Sequence, residues 1–257
     1  VSALSIARGY MQLGLHDEAS AWYERLEDLE GSNLFGDAIF NGRLEMAAGS
    51  GDPDSLEAII REFGASVDDP DEELLVEAFT SVGRNVGWKE VGRLVKASLF
   101  LYGDKVPGEL LFLQGRSLRR QNRLLEAVYH FERQLNAMKV PDAVHPSLLS
   151  QRNRFIRAAA DCSFLMNDRL RARGLYHQLI EEGDAYHREW GRFQVAQIDM
   201  LANDYIGAGR VFREIAADSL GTLAEIWAES LAEHCQEMRA HRQYYVTSSP
   251  RRKAAMP

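Results

Sequence analysis

Apolar residues recur along this chain at helical rather than strand spacing, and they come in short paired blocks. Leu4, Ala7, Tyr10 and Met11 fall on one face of a first helix, and after Gly14 and Leu15 a second series follows at Ala19, Trp22, Tyr23 and Leu26. Gly14 suits the left-handed conformation that ends a helix. Asp17 is placed to cap the next one, and Glu18 brings negative charge to its positive N-terminal end. The small side chains of Ala7 and Ala19 let two helix backbones approach, with Tyr10 and Tyr23 filling the space beside them.

The same paired pattern returns five more times. Over 33–64, Phe40, Leu44 and Ala47 mark a first helix, Gly49-Ser50-Gly51-Asp52-Pro53 a turn, and Leu56, Ile59, Ile60 and Phe63 a second helix that Gly64 ends. Over 71–102 the faces are Leu75, Val76, Phe79 and Val82, then Val91, Leu94, Val95 and Leu99, with a turn at Gly87 and Trp88. The stretch 107–135 carries Gly115 and Leu118, a turn near Asn122, then Ala127 and Phe131. An insertion over 136–145 follows, its loop bracketed by Pro141 and Pro146. Over 147–183 come Ile156, Ala159 and Ala160, a turn at Asn167-Asp168, and Ala172, Tyr176 and Leu179. Over 185–218 come Phe193 and Ala196, a turn near Asn203, and Ala208, Phe212 and Ile215. Aligning one position of each second helix gives Ala19, Leu56, Gly92, Ala127, Ala172 and Ala208, separated by 37, 36, 35, 45 and 36 residues. The step of 45 contains the insertion.

In Ala3 to Leu26 the order of small residue, aromatic, turn glycine, alanine and aromatic resembles a tetratricopeptide repeat, and 107–135 is the next best copy. Ala3 stands where that family usually has tryptophan, and Gly31 where it often has proline. The resemblance implies an all-α fold, a right-handed α-solenoid of about six helix-turn-helix repeats at approximately 1–31, 33–64, 71–102, 107–135, 147–183 and 185–218. Leu220, Leu223, Ile226, Trp227 and Leu231 predict one more helix over 219–242, with Glu225, Glu229, Glu233 and Glu237 on its far face. It reads as a solvating cap over the last repeat rather than the start of a seventh. Residues 243–257, ending in SSPRRKAAMP, have no apolar period and are expected to be a disordered tail.

Composition narrows the function classes. No run approaches the ~18 apolar residues of a membrane span. With 38 acidic against 30 basic side chains the net charge is −8, which argues against general nucleic-acid or anionic-membrane binding. Two cysteines, Cys162 and Cys235, make neither a disulfide framework nor a zinc site, and Cys162 reads as a half-buried packing residue beside Ala158 to Ala160. His234 and His241 lie two helical turns apart, ~10 Å, too far to share one metal unaided. No phosphate loop, GxSxG or HExxH occurs, so neither an enzyme nor a cofactor is expected. A chain opening at Val1, with neither methionine nor signal-peptide pattern, is expected to be a processed form or part of something longer. The compartment, cytoplasmic or periplasmic, is left open.

In the tetratricopeptide family the first helix of each pair lines a concave surface that holds partner proteins, so the resemblance implies a protein-interaction scaffold. Residues falling off the packing stripe of the first helices include Arg8, Gln12, Asn41, Glu45, Glu77, Asp161, Gln197 and Met200. Five more are arginines: Arg84, Arg116, Arg120, Arg154 and Arg157. Arginine forks hold carboxylates bidentately, so this strip points to a partner peptide with an acidic segment or a C-terminal carboxylate. The alternative is pairing of these arginines with acidic neighbours such as Glu77 or Asp161. Phe112, Phe164, Phe193, Met200 and Leu201 would give the groove an apolar end able to take an amphipathic helix. From another class comes the reading of a structural or oligomerisation module that packs on itself or on the remainder of its own chain.

Overall fold

A computed structural model of the chain describes residues 3–27, 36–63, 67, 70–103, 106–138, 146–218 and 223–248. Among the described residues there is no strand, and the helices come in consecutive pairs: α1 (Ala3–Gln12) with α2 (His16–Glu27), α3 (Gly36–Ser50) with α4 (Pro53–Phe63), α5 (Glu72–Asn85) with α6 (Trp88–Ser98), α7 (Gly108–Arg120) with α8 (Leu124–Ala137), α9 (Pro146–Leu165) with α10 (Arg169–Glu182), and α11 (Ala185–Leu201) with α12 (Tyr205–Asp218). A single α13 (Leu223–Ser248) follows. The fold is all-α, a repeat of helix-turn-helix pairs closed by a final helix.

One backbone device makes nearly every turn within a pair. The N–H of the residue before the second helix donates to the carbonyl five residues back: Leu15 to Tyr10 (2.9 Å), Arg123 to Leu118 (3.0 Å), Asp168 to Ser163 (3.0 Å) and Asp204 to Asp199 (2.8 Å). That closure needs a left-handed residue at the bend. Gly14 (φ 72°), Asn122 (60°), Asn167 (63°) and Asn203 (69°) supply it, and Gly51 (68°) holds the same place between α3 and α4. Asparagine is the side chain that tolerates this conformation best after glycine. Between α5 and α6 the equivalent residue is Val86, whose β-branch disfavours it, and Gly87 takes the positive φ (149°) instead. Aspartates then cap the second helices: the Arg171 N–H donates to Asp168, the Gly207 N–H to Asp204, and the N–H groups of Asp54 and Ser55 to Asp52.

Several local expectations are corrected. Asp17 lies inside the first turn of α2, where it faces the positive helix end, and Leu15 occupies the cap position. Gly49 and Ser50 belong to α3, and Trp88 opens α6 rather than sitting in its turn. Counting from the helix start, the equivalent of Ala19 in the third pair is therefore Val91, fully buried, and not Gly92. The final helix continues past residue 242 to Ser248, so the first residues of the expected tail are helical. Gly31, Gly64, Pro141 and residues 249–257 lie outside the described residues.

The chain divides into two compact units, residues 1–130 and 131–257. In the first unit, Ala7, Ala19, Tyr23, Leu26 and Ile39 form one cluster. The Tyr23 ring lies so close over Gly42 that a Cβ there would come within 2.1 Å of it. A larger cluster joins Phe40, Leu44, Leu56, Ile60, Leu75, Phe79, Val82, Val91, Leu94, Leu110 and Leu113 from α3 to α7. In the second unit, Ile156, Ala160, Ala172, Tyr176, Leu179 and Ile198 pack together, and Phe131 meets Phe155 edge to face at 5.8 Å. Gly191 lets α11 approach α10, since a Cβ there would come within 2.8 Å of the Tyr176 carbonyl oxygen. Ala228, Ala232 and Cys235, spaced along one face of α13, close over Ala208, Phe212, Ile215 and Ala216 of α12. α13 thus buries the last repeat, as a capping helix does.

Candidate functional site

Within each unit the first helices of successive pairs lie against one another: α1, α3, α5 and α7 in the first, α9 and α11 in the second. Their unspent faces are where a partner-binding surface is sought. In the first unit, Glu73, Val76, Glu77, Thr80, Ser81 and Arg84 recur at helical spacing along α5, and with Glu72 and Glu109 they line an open groove of about 530 Å3. Arg84 therefore keeps company with four glutamates. Burial pushes the Glu72 carboxyl above its usual range, and the neighbouring charges of Glu109 and Glu73 push the same way against one opposing hydrogen bond from the Glu109 N–H.

Arg116 and Arg120 have a different setting. Their guanidinium carbons lie 5.0 and 5.7 Å from the Trp88 ring centroid, so both stack on the indole that opens α6. Trp88 is itself tied to α7, because its carbonyl accepts from the Ser117 hydroxyl at 2.7 Å and from the Gln121 amide at 3.2 Å. Stacking occupies the face of a guanidinium and leaves its in-plane donors to point outward. Among the described residues the exposed Arg120 is held by this stack alone.

In the second unit the corresponding arginines are on α9. Arg157 lies 4.0 Å from the Trp190 ring centroid and 5.4 Å from that of Tyr186, and its Nη1 donates to the Tyr186 hydroxyl at 2.7 Å. Its Nε is 3.9 Å from Asp161, which accepts from the Tyr176 hydroxyl at 2.8 Å. Arg157 is thus built into a network joining α9, α10 and α11, mainly through the Tyr186 and Trp190 rings, with Asp161 one turn along its own helix. Arg154 is half-buried on the same helix. Nearby, Asp184 caps α11 by accepting the His187 N–H at 2.9 Å, and it also meets His187 Nδ1 at 2.8 Å. Burial raises the Asp184 carboxyl, but these hydrogen bonds outweigh it and hold the group below its ordinary value. The aromatic partners Trp88, Tyr186 and Trp190 were missed in the sequence: Trp88 and Tyr186 sit in the first turn of their helices, and Trp190 is brought to Arg157 of α9 only by the packing of α11.

The expected apolar end of the groove does not survive intact. Phe164, Phe193 and Met200 are drawn into the cores of the second unit, and Leu201 is exposed at the end of α11. Cys162 and Cys235 are both buried, and burial pushes the Cys235 thiol up, so neither has the accessible setting of a reactive thiol. No described helix is long and apolar enough to cross a membrane.

The helix pairs, glycine or asparagine bends and final helix define an all-α fold of repeated helix-turn-helix pairs. No family model matches the chain, and no curated protein does. Among solved structures, one from the functional characterization of Pseudomonas aeruginosa pilF is similar at 15% identity, covering 88% of this chain and 96% of that one with a TM-score of 0.47. So loose a likeness supports nothing about function.

Proposed function

We propose that this protein is an interaction scaffold of tetratricopeptide type that holds a partner protein on the faces of its first helices. The supporting observation is the lining up of these helices within each unit, with polar and charged side chains that the cores do not use. Stacked repeats fix such side chains in place, so binding costs the scaffold little ordering and affinity is the sum of many modest contacts.

Of the arginine strip, Arg120 is the residue best set to take a partner's acidic segment, because it is exposed while the Trp88 indole, which it shares with Arg116, holds its plane. Arg154 and Arg157 belong to the same reading on the second unit, with Arg157 acting mainly as a strut for Tyr186 and Trp190. Arg84 stands in an acidic groove, which suits a basic stretch of the partner. Affinity capture should be run with the wild-type chain, with Arg120→Glu, and with Glu73→Lys/Glu77→Lys, all at exposed positions. Partners retained by the wild type and lost by a folded variant support the reading. Equal capture by all three chains removes both faces from consideration. The self-packing alternative draws on one observation, the exposure of Ile226 (60%) and Trp227 (65%) on α13, and concentration-dependent mass in light scattering would favour it.

A further inference from the structure

Two of the first helices in the first unit repeat one charge pattern. On α5, Glu73 is followed eleven residues later by Arg84, and on α7, Glu109 is followed at the same interval by Arg120. Eleven residues make about three helical turns, so on each helix the acid and the arginine share a face and stand ~16 Å apart. Glu77 strengthens the acidic end and Arg116 the basic end. The two helices run side by side in the same direction. At one end the Glu109 N–H donates to the Glu72 carboxyl. At the other, the Trp88 ring that carries Arg116 and Arg120 sits against Gly83 of α5, where a Cβ would come within 3.2 Å of it. Glutamates thus gather at one end of a common face and arginines at the other, and Val76 and Thr80 line the groove between.

We infer that this face holds a bipolar helix of the partner protein, its basic end on the glutamates and its acidic end on the arginines. This rests on the scaffold reading and gives the partner a charge order. The dipoles of α5 and α7 account for acids in their first turns and bases in their last, but not for Glu77 or Arg116, which lie a turn further in. Among the described residues, Glu73, Glu77, Arg84 and Arg120 are exposed and in no ion pair, so their charges are open to a ligand. The raised Glu72 carboxyl reports like charges crowded at the acidic end, which a cation relieves. A ligand of one sign meets repulsion at one end or the other. A helix fits the span, since it covers ~16 Å in the same eleven residues and brings its own ends onto one face.

The test is fluorescence anisotropy of the full chain with alanine-based helical peptides of equal length. One carries a glutamate block and a lysine block on one face, centred about 11 residues apart; the others carry lysines only or glutamates only. The protein variants are Glu73→Lys/Glu77→Lys, Arg84→Glu/Arg120→Glu, and all four changes together, each checked for folding by circular dichroism. The mixed peptide is expected to bind the wild type tightest, to lose at least about tenfold in affinity with either double variant, and to recover to within about threefold with the combined one, where it docks in the reverse direction. A peptide of one sign that binds the wild type as tightly as the mixed peptide would overturn the inference and leave the scaffold reading standing. So would undiminished binding by either double variant, or no recovery in the folded combined variant. Absence of binding by every peptide would overturn the inference and remove this face from the scaffold reading as well.

Discussion

Glu72 shows how a single side chain reports on the acidic groove. Its carboxyl is raised by burial first and by Glu109 and Glu73 after that, so the folded state disfavours the charged form. A folded pKa above the unfolded one means that this group favours folding at low pH, and that this contribution is lost as pH rises through the folded value. At neutral pH the ionised group is therefore a burden on the fold. Glu72→Gln is expected to raise the melting temperature at pH 7, with the gain disappearing as pH falls below the ordinary carboxylate range. Thermal melts of both proteins at pH 7 and pH 3.5 check this. A gain that persists in acid would mean that burial of the glutamine, not relief of charge, is responsible. Asp184 has the opposite sign, since its depressed carboxyl stabilises the fold above the ordinary carboxylate range and loses that effect on acidification.

At the scale of elements, the turns decide the architecture, and their chemistry was partly visible in the sequence. Asn122, Asn167 and Asn203 each stand five residues before the buried fourth residue of a second helix, a spacing that Gly14 and Gly51 share. Sequence reading found the bends at these asparagines but not that they are left-handed. In the third pair it failed on register, because Gly87 and Gly92 imitate that spacing while the residue equivalent to the other bends is Val86. Core positions were legible because period 3.6 survives degeneracy. The arginine surroundings were not, because Trp88, Tyr186 and Trp190 are joined to their cations by tertiary packing, which one-dimensional spacing cannot encode. The left-handed reading has a consequence at Asn167. Replacement by glycine should leave stability unchanged or slightly raised, whereas valine should cost about 1–2 kcal/mol, the steric penalty of that region for a branched side chain. Urea titration of the three proteins distinguishes them, and equal midpoints for valine and glycine would show that the bend relaxes to another conformation.

For the molecule as a whole, the separate apolar clusters imply that stability is distributed along the chain rather than vested in one core. In a repeat array each pair rests on its neighbours, so a local loss should travel only a short way before the next interface halts it. Phe212 is the test residue. It is fully buried in the cluster that joins α12 to α13, and it meets Phe193 of α11 at 5.5 Å between ring centroids. Phe212→Ala should remove about 3–5 kcal/mol from that cluster, enough to open it often. Hydrogen exchange is then expected to accelerate strongly in α11, α12 and α13 and hardly at all in α3 to α6, whose amides depend on the Phe40 to Leu113 cluster. Because α13 is held by Ala228, Ala232 and Cys235 against that same phenylalanine, its amides should respond at least as much as those of α12. Equal acceleration throughout the chain would mean one cooperative core, and stability would then have to be assigned to the molecule rather than to its repeats.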